Sequence, residues 1–152
     1  MLGIWEYIFK ALDLEKELAK VPIFEGLSKG ELNLIIKYCY ERKHPDGEIV
    51  FYEGDPSSSL YIIMKGAVDI FKGKKKVTTI NKGEFFGELS LVDPSPRSAT
   101  TVAKGNTVLV SFSKTQLEHI SNIAPKTANK ILRNISKVIA RRLKYTNELL
   151  DK

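Results

Sequence analysis

The chain has 152 residues, 43% of them hydrophobic and 28% charged, which suits one globular domain and excludes both a disordered tail and a collagen-like repeat. Its longest unbroken apolar run, Leu60 to Met64, is far short of the ~20 residues of a membrane-spanning helix, no export signal opens the sequence, and one cysteine, Cys39, excludes an internal disulfide or a cysteine-cluster metal site, so a reducing cytoplasm is the expected compartment. The formal charge of +6 sits at one end, because residues 126–152 hold eight basic and two acidic side chains while residues 1–125 hold sixteen of each.

In chain order, Ile4, Trp5, Ile8, Phe9 and Leu12 share one face of an amphipathic helix expected over 4–18, which Pro22 ends. Ser28 with Glu31 three residues on fits a capping box and opens a short helix carrying Leu32, Ile35, Ile36 and Cys39. The texture then changes to runs of Val, Ile, Phe, Tyr and Thr bounded by turn residues, which predicts strands near 48–53, 60–65, 67–72, 75–80, 98–104 and 107–112. Phe71 to Lys75 reads as a hairpin with a charged tip. Ser113 and Gln116 repeat the capping-box spacing over a short helix, and Pro125 opens a long one running to about Leu150. In the long helix Ala128, Ile131, Ile135, Val138, Tyr145 and Leu149 step by threes and fours, with Arg142 interrupting the series. Leu132, Ile139, Leu143 and Leu150 widen that stripe, so one face can pack on the strands while another meets a partner. Helices, a block of short strands and helices again predict a mainly β fold over a single domain, 1–152: a β-roll or jelly-roll barrel (double-stranded β-helix) with N-terminal helices (1–40) and a long C-terminal helix. Such barrels enclose small ligands.

The chemistry concentrates in residues 83–100. Gly87 permits unusual backbone angles, and the residues after it look like one helical turn before Asp93-Pro94 breaks it. A helix start presents free backbone N–H groups suited to an anion such as phosphate. Arg97 can add a bidentate cation, and Glu88 can accept hydrogen bonds from a sugar hydroxyl. Together these could hold a ribose phosphate. The bland alternative is that Glu88 and Arg97 pair with each other as a structural bridge. His44 and His119 belong to no metal-binding spacing and read as surface histidines, and Cys39 reads as a small buried side chain. No nucleophile–base pair can be assembled, so no catalytic residue, metal or cofactor is expected and the chain is not read as an enzyme.

At Phe86-Gly87-Glu88-Leu89, followed by Pro96-Arg97-Ser98-Ala99, the sequence resembles the phosphate-binding cassette of the cyclic-nucleotide-binding domain family, whose members include bacterial catabolite activators and protein kinase A regulatory subunits. Pro22 to Leu27, Gly54, Leu60 to Ile63 with Gly66, and Gly83 stand in the family's order as well, so the resemblance spans roughly residues 20–150. It implies that Glu88 accepts from a ribose 2′-hydroxyl, that Arg97 pairs with the cyclic phosphate, and that Gly87, Leu89, Ser98 and Ala99 complete the cradle. Ser98 after the arginine leans toward cAMP, with cGMP the second candidate. Ile70, Val77 and Ile80 would wall the base, and Val138, Arg141, Arg142 and Tyr145 on the last helix are candidate lid residues. The implied function is a sensor that signals through movement of its C-terminal helix to an effector protein the sequence does not name, with a homodimer along that helix as the expected assembly. A ligand-independent protein-interaction module of the same fold is the alternative. With the chain ending at Lys152, no recognition helix follows and sequence-specific DNA binding is not expected.

Overall fold

The computed structural model describes residues 13–150. The apolar positions Ile4, Trp5, Ile8, Phe9 and Leu12 lie outside them; residues 13–19 are helical (α1). A single 3-10 turn, Pro22–Phe24, leads to α2 (Lys29–Lys37). Six strands follow: β1 (Tyr40–His44), β2 (Ile49–Phe51), β3 (Ser59–Lys72), β4 (Lys75–Asn81), β5 (Phe85–Phe86) and β6 (Thr100–Ser113). A second 3-10 turn, Glu88–Leu91, stands between β5 and β6, and α3 (Lys114–Ile123) and α4 (Pro125–Leu150) close the chain.

Both capping boxes form. Ser28 Oγ accepts from the Glu31 amide at 3.2 Å while Glu31 Oε1 accepts from the Ser28 amide at 3.0 Å, and Ser113 and Gln116 repeat the exchange at 3.2 and 2.6 Å. Each box satisfies helix-start N–H groups that would otherwise lack partners.

The strands form one antiparallel sheet in the order β1-β6-β3-β4, with β2 added to β6 and β5 to β3. It is the β-roll the sequence predicts, with different strand limits. The runs 60–65 and 67–72 are one strand, β3, whose register shifts on both sides of Lys65, beside Gly66. Likewise 98–104 and 107–112 fuse into β6 through Gly105. A register shift bends a strand without ending it, so a glycine that reads as a turn in sequence becomes a corner of the roll.

Alternation along β3 separates two cores. Leu60 and Ile62 join the large cluster between sheet and helices, with Ile23, Phe24, Ile35, Phe112, Ile120, Ile131 and Ile135. Tyr61 and Ile63 join a second cluster with Val68 and Leu109, against which Phe51, Ile70, Ile80 and Phe86 pack. Period-two alternation sends neighbouring residues to opposite faces, so β3 serves both cores at once. The first core seats α4, and the second underlies the site.

Candidate functional site

β5 pairs Phe85 and Phe86 with Ile62 and Tyr61 of β3. Gly87 then turns the chain at φ +85° into the 3-10 turn that begins with Glu88. A side chain at 87 would meet a wall, since a Cβ there would stand 2.6 Å from the Ser59 carbonyl oxygen and 3.2 Å from Arg97 Nη1. The segment is pinned again where the Ser57 and Ser90 hydroxyls meet at 2.6 Å.

Arg97 is fixed first by its backbone, whose N–H donates to Asp55 O and whose carbonyl accepts from the Gly54 N–H, both at 2.8 Å. Its guanidinium lies 4.2 Å from the Phe51 ring centroid and 5.1 Å from that of Tyr61. Phe51, Tyr61 and Phe86 form an aromatic trio with centroids 5.4 to 5.9 Å apart. Stacked on this trio, the cation makes a long contact from Nη2 to the Ser59 carbonyl at 3.4 Å, and its buried Nε–H has no acceptor among the described residues. Among the described residues Arg97 makes no ion pair with a carboxylate. Burial pushes the guanidinium below its ordinary value, with Tyr61 and Asp55 acting against that trend. A half-buried cation with an unfilled donor is costly, and an anion relieves it.

Glu88 is buried, at 4% exposure. It does not pair with Arg97, which removes the bridge reading; its Oε1 accepts a hydrogen bond from Arg142 Nη2 of α4. A cleft of about 240 Å³ lies here, lined by Phe85, Phe86, Gly87, Glu88, Leu89, Ser90 and Arg142.

The expected residues therefore divide. Gly87, Glu88, Leu89 and Arg142 share the cleft, and Arg97 meets it at Gly87. Ser98 is exposed and Ala99 half-buried just before β6. Ile70 and Ile80 pack with Phe86 around the inner cluster. Val77 is 54% exposed, Val138 packs on the helix-side core, and Arg141 and Tyr145 are exposed. Sequence reasoning missed Phe51 and Tyr61 as the surface beneath the arginine. Their only signal was membership of strand-like runs. Among the described residues no group of acidic, histidine or cysteine side chains could hold a metal ion. His44 instead contacts Glu48 at 2.7 Å and His119 contacts Tyr38 at 3.2 Å.

The match that decides the family covers residues 41–123, which fit the cyclic nucleotide-binding domain. The chain belongs to the cyclic nucleotide-binding domain family. It is 32% identical over 135 residues to the cyclic AMP receptor protein of Thermus thermophilus, an alignment covering 86% of this chain and 61% of that protein; the chain thus spans less than two thirds of that relative. Among solved structures, the N-terminal domain of a transcriptional regulator from Streptomyces coelicolor A3(2) superimposes with a TM-score of 0.78 at 29% identity, covering 88% of this chain and 94% of that one. The regulatory domain of Toxoplasma gondii PKA, co-crystallised with cAMP, gives a TM-score of 0.67 at 27% identity, covering 78% of this chain and 47% of that one. As in its sequence, the domain is a β-roll with helices at both ends, and no described helix is long and apolar enough to cross a membrane.

Proposed function

We propose that this cyclic nucleotide-binding domain is a cAMP sensor, with Arg97 taking the cyclic phosphate and Glu88 the ribose 2′-hydroxyl. The observation that carries the reading is the Arg97 side chain, a half-buried guanidinium stacked on Phe51 and Tyr61 whose buried Nε–H has no acceptor among the described residues. A phosphate supplies two acceptors to such a fork at once. The backbone of Gly87, Leu89, Ser98 and Ala99 completes the cradle, with free N–H groups at the start of the turn that follows Gly87. The co-crystallised relative with cAMP favours that nucleotide, and Ser98 after the arginine leans the same way, with cGMP second. Ile70 and Ile80, packed beside Phe86, support the assignment of an apolar wall for the base.

The domain binds and signals and does not catalyse, in keeping with a family of binding domains. Its output passes through α4 to an effector protein. The exposed stripe Leu132, Ile139, Leu143 and Leu150 supports a homodimer along that helix, and one free cysteine supports a reducing, cytoplasmic setting.

Isothermal calorimetry with cAMP and cGMP on nucleotide-stripped protein, alongside Arg97→Ala, tests the reading. Saturable binding, weakened about 100-fold or more in the variant because charge-assisted bonds are lost, is the expected result. A folded wild type indifferent to both nucleotides moves the weight to a ligand-independent interaction module.

A further inference from the structure

α4 presents three faces. At the root of the helix the inner face is fastened to the domain: Thr127 donates to Glu31 at 2.9 Å, the Asn134 amide donates to the carbonyls of Ile23 and Glu25 at 3.0 and 2.8 Å, and Ile131 and Ile135 are buried. A second face carries the exposed Leu132, Ile139, Leu143 and Leu150, the seam assigned above to a homodimer. The third is charged. Lys126, Lys130, Arg133, Lys137, Arg141 and Lys144 follow one another at steps of four, three, four, four and three. At 3.6 residues per turn these steps gather them into an arc of about 80°, roughly 27 Å long and about 140° round the helix from the apolar seam. All six are exposed.

Such a row is unfavourable for the helix that bears it. Like charges three or four residues apart repel, and solvent-exposed helices normally intersperse carboxylates at those steps. α4 has a single acidic residue, Glu148, one turn beyond the last lysine. The fold supplies one counter-charge, since Lys130 meets Glu31 of α2 at 2.7 Å. Among the described residues the other five cations make no ion pair. The one filled place shows what the row accepts, a carboxylate carried on another helix.

Charge alone admits three classes of partner, and the shape of the row separates them. Membrane-surface helices set their cations beside an apolar strip that inserts, whereas here the apolar strip lies on another side of the helix. A phosphate strand of duplex DNA winds once round its axis in ~34 Å, so it departs from a straight row of ~27 Å. No aromatic or amide side chain stands within the arc to stack on a base or read one. Carboxylates at the same three- and four-residue steps on a second helix run straight for its whole length.

We propose that this face of α4 is the docking surface for an acidic helix of a partner protein, whose carboxylates stand at three- and four-residue steps and pair with the five open cations. Docking replaces repulsion along the row by attraction across it, and exposure makes that attraction sensitive to salt. A two-fold dimer along the apolar seam leaves both rows on its outer sides, so dimerisation and docking do not compete. The inference rests on the proposed output through α4 for naming the partner as the effector; the partner's chemistry comes from the row alone.

The test is calorimetry with a stapled synthetic helix bearing glutamates in that stripe, and with its isomer in which the same glutamates are spread round the helix. Both are titrated into wild type, Arg133→Gln/Lys137→Gln and Lys74→Gln/Lys75→Gln. The last variant removes the same charge from the β3–β4 tip, where both lysines are exposed, and circular dichroism checks that both variants are folded. The expected result is binding of the striped helix about tenfold tighter than of its isomer, weakened about three- to tenfold in Arg133→Gln/Lys137→Gln, the scale of two exposed ion pairs. Lys74→Gln/Lys75→Gln should bind as wild type does, and affinity should fall as salt rises. Equal binding of the two helices, or equal losses in the two variants, overturns the docking face. Tighter binding of duplex DNA or of phosphatidylserine vesicles than of the striped helix at the same ionic strength overturns it too. Calorimetry of cAMP runs in parallel: wild type that takes the striped helix and no cyclic nucleotide keeps the docking face and removes the sensor reading, and the converse leaves the sensor without this output.

Discussion

Gly87→Ala tests how tightly the cassette is seated on β3. At φ +85° an alanine adopts a left-handed conformation, and its Cβ would stand 2.6 Å from the Ser59 carbonyl oxygen, a backbone atom that cannot swing aside. The conformation costs roughly 1–2 kcal/mol and the forced shift roughly 1–3 kcal/mol, about 2–5 kcal/mol in all. Gly73→Ala at the β3–β4 turn is the matched control, with φ +59° and nothing within 4 Å of the added carbon, so that it costs only the conformational part, roughly 1–2 kcal/mol. Urea denaturation followed by circular dichroism gives both values. Calorimetry at low temperature, where both variants are folded, gives the effect on the site. The same Cβ would stand 3.2 Å from Arg97 Nη1, so the guanidinium is crowded as well. Nucleotide affinity should therefore drop by about tenfold or more, one hydrogen bond's worth, while Gly73→Ala binds normally. If Gly87→Ala is no less stable than Gly73→Ala, the close approach to Ser59 does not constrain the cassette and the reasoning fails.

Two further predictions concern the root of α4. The Lys130 hydrogen bond, with the Ser28 amide and the Thr127 hydroxyl, holds the Glu31 carboxyl down at about 2 against an ordinary 4.5. A carboxyl lowered on folding adds stability above its unfolded value and loses it as pH falls through the folded one. That contribution is thus present above about pH 4.5 and lost toward pH 2. With Lys130 46% exposed, solvent screening reduces it to about 1–2 kcal/mol. Stability measured against pH should fall less steeply in Glu31→Gln than in wild type over that range, and parallel curves would refute the assignment. Asn134→Ala removes the amide from two carbonyls, leaving that of Ile23 without its side-chain donor in a buried setting; it should cost about 2–3 kcal/mol in urea denaturation. A loss near zero would mean that water replaces the amide.

What the sequence disclosed follows the range of the interactions. Capping boxes are contacts over three residues, and Ser28–Glu31 and Ser113–Gln116 form as written. The cassette was legible for the same reason, since its turn is local and Gly87 announces it. β1 escaped notice because Tyr40–His44 is exposed along most of its length and pairs only with β6, leaving no alternating apolar signal. The two long strands were each read as two because register shifts are properties of a pair of strands and leave no mark in one. Arg142 is the instructive case. In the periodicity of α4 it breaks an apolar series, and its partner Glu88 lies 54 residues earlier. Only the folded chain gives a reason for the break. Arg97 was legible as a cation, and its rest on Phe51 and Tyr61 was hidden by the same sequence distance.

The two main-chain bonds that hold Arg97 reach Gly54 and Asp55, in the connection between β2 and β3. The length of that connection consequently sets the reach of the guanidinium, although it lies outside the recognised motif. Relatives with identical cassettes but insertions there will differ in how firmly the cation is posted. A graft of residues 86–99 onto another roll will carry the letters of the motif and leave its anchorage behind unless the turn at Gly54–Asp55 travels with it.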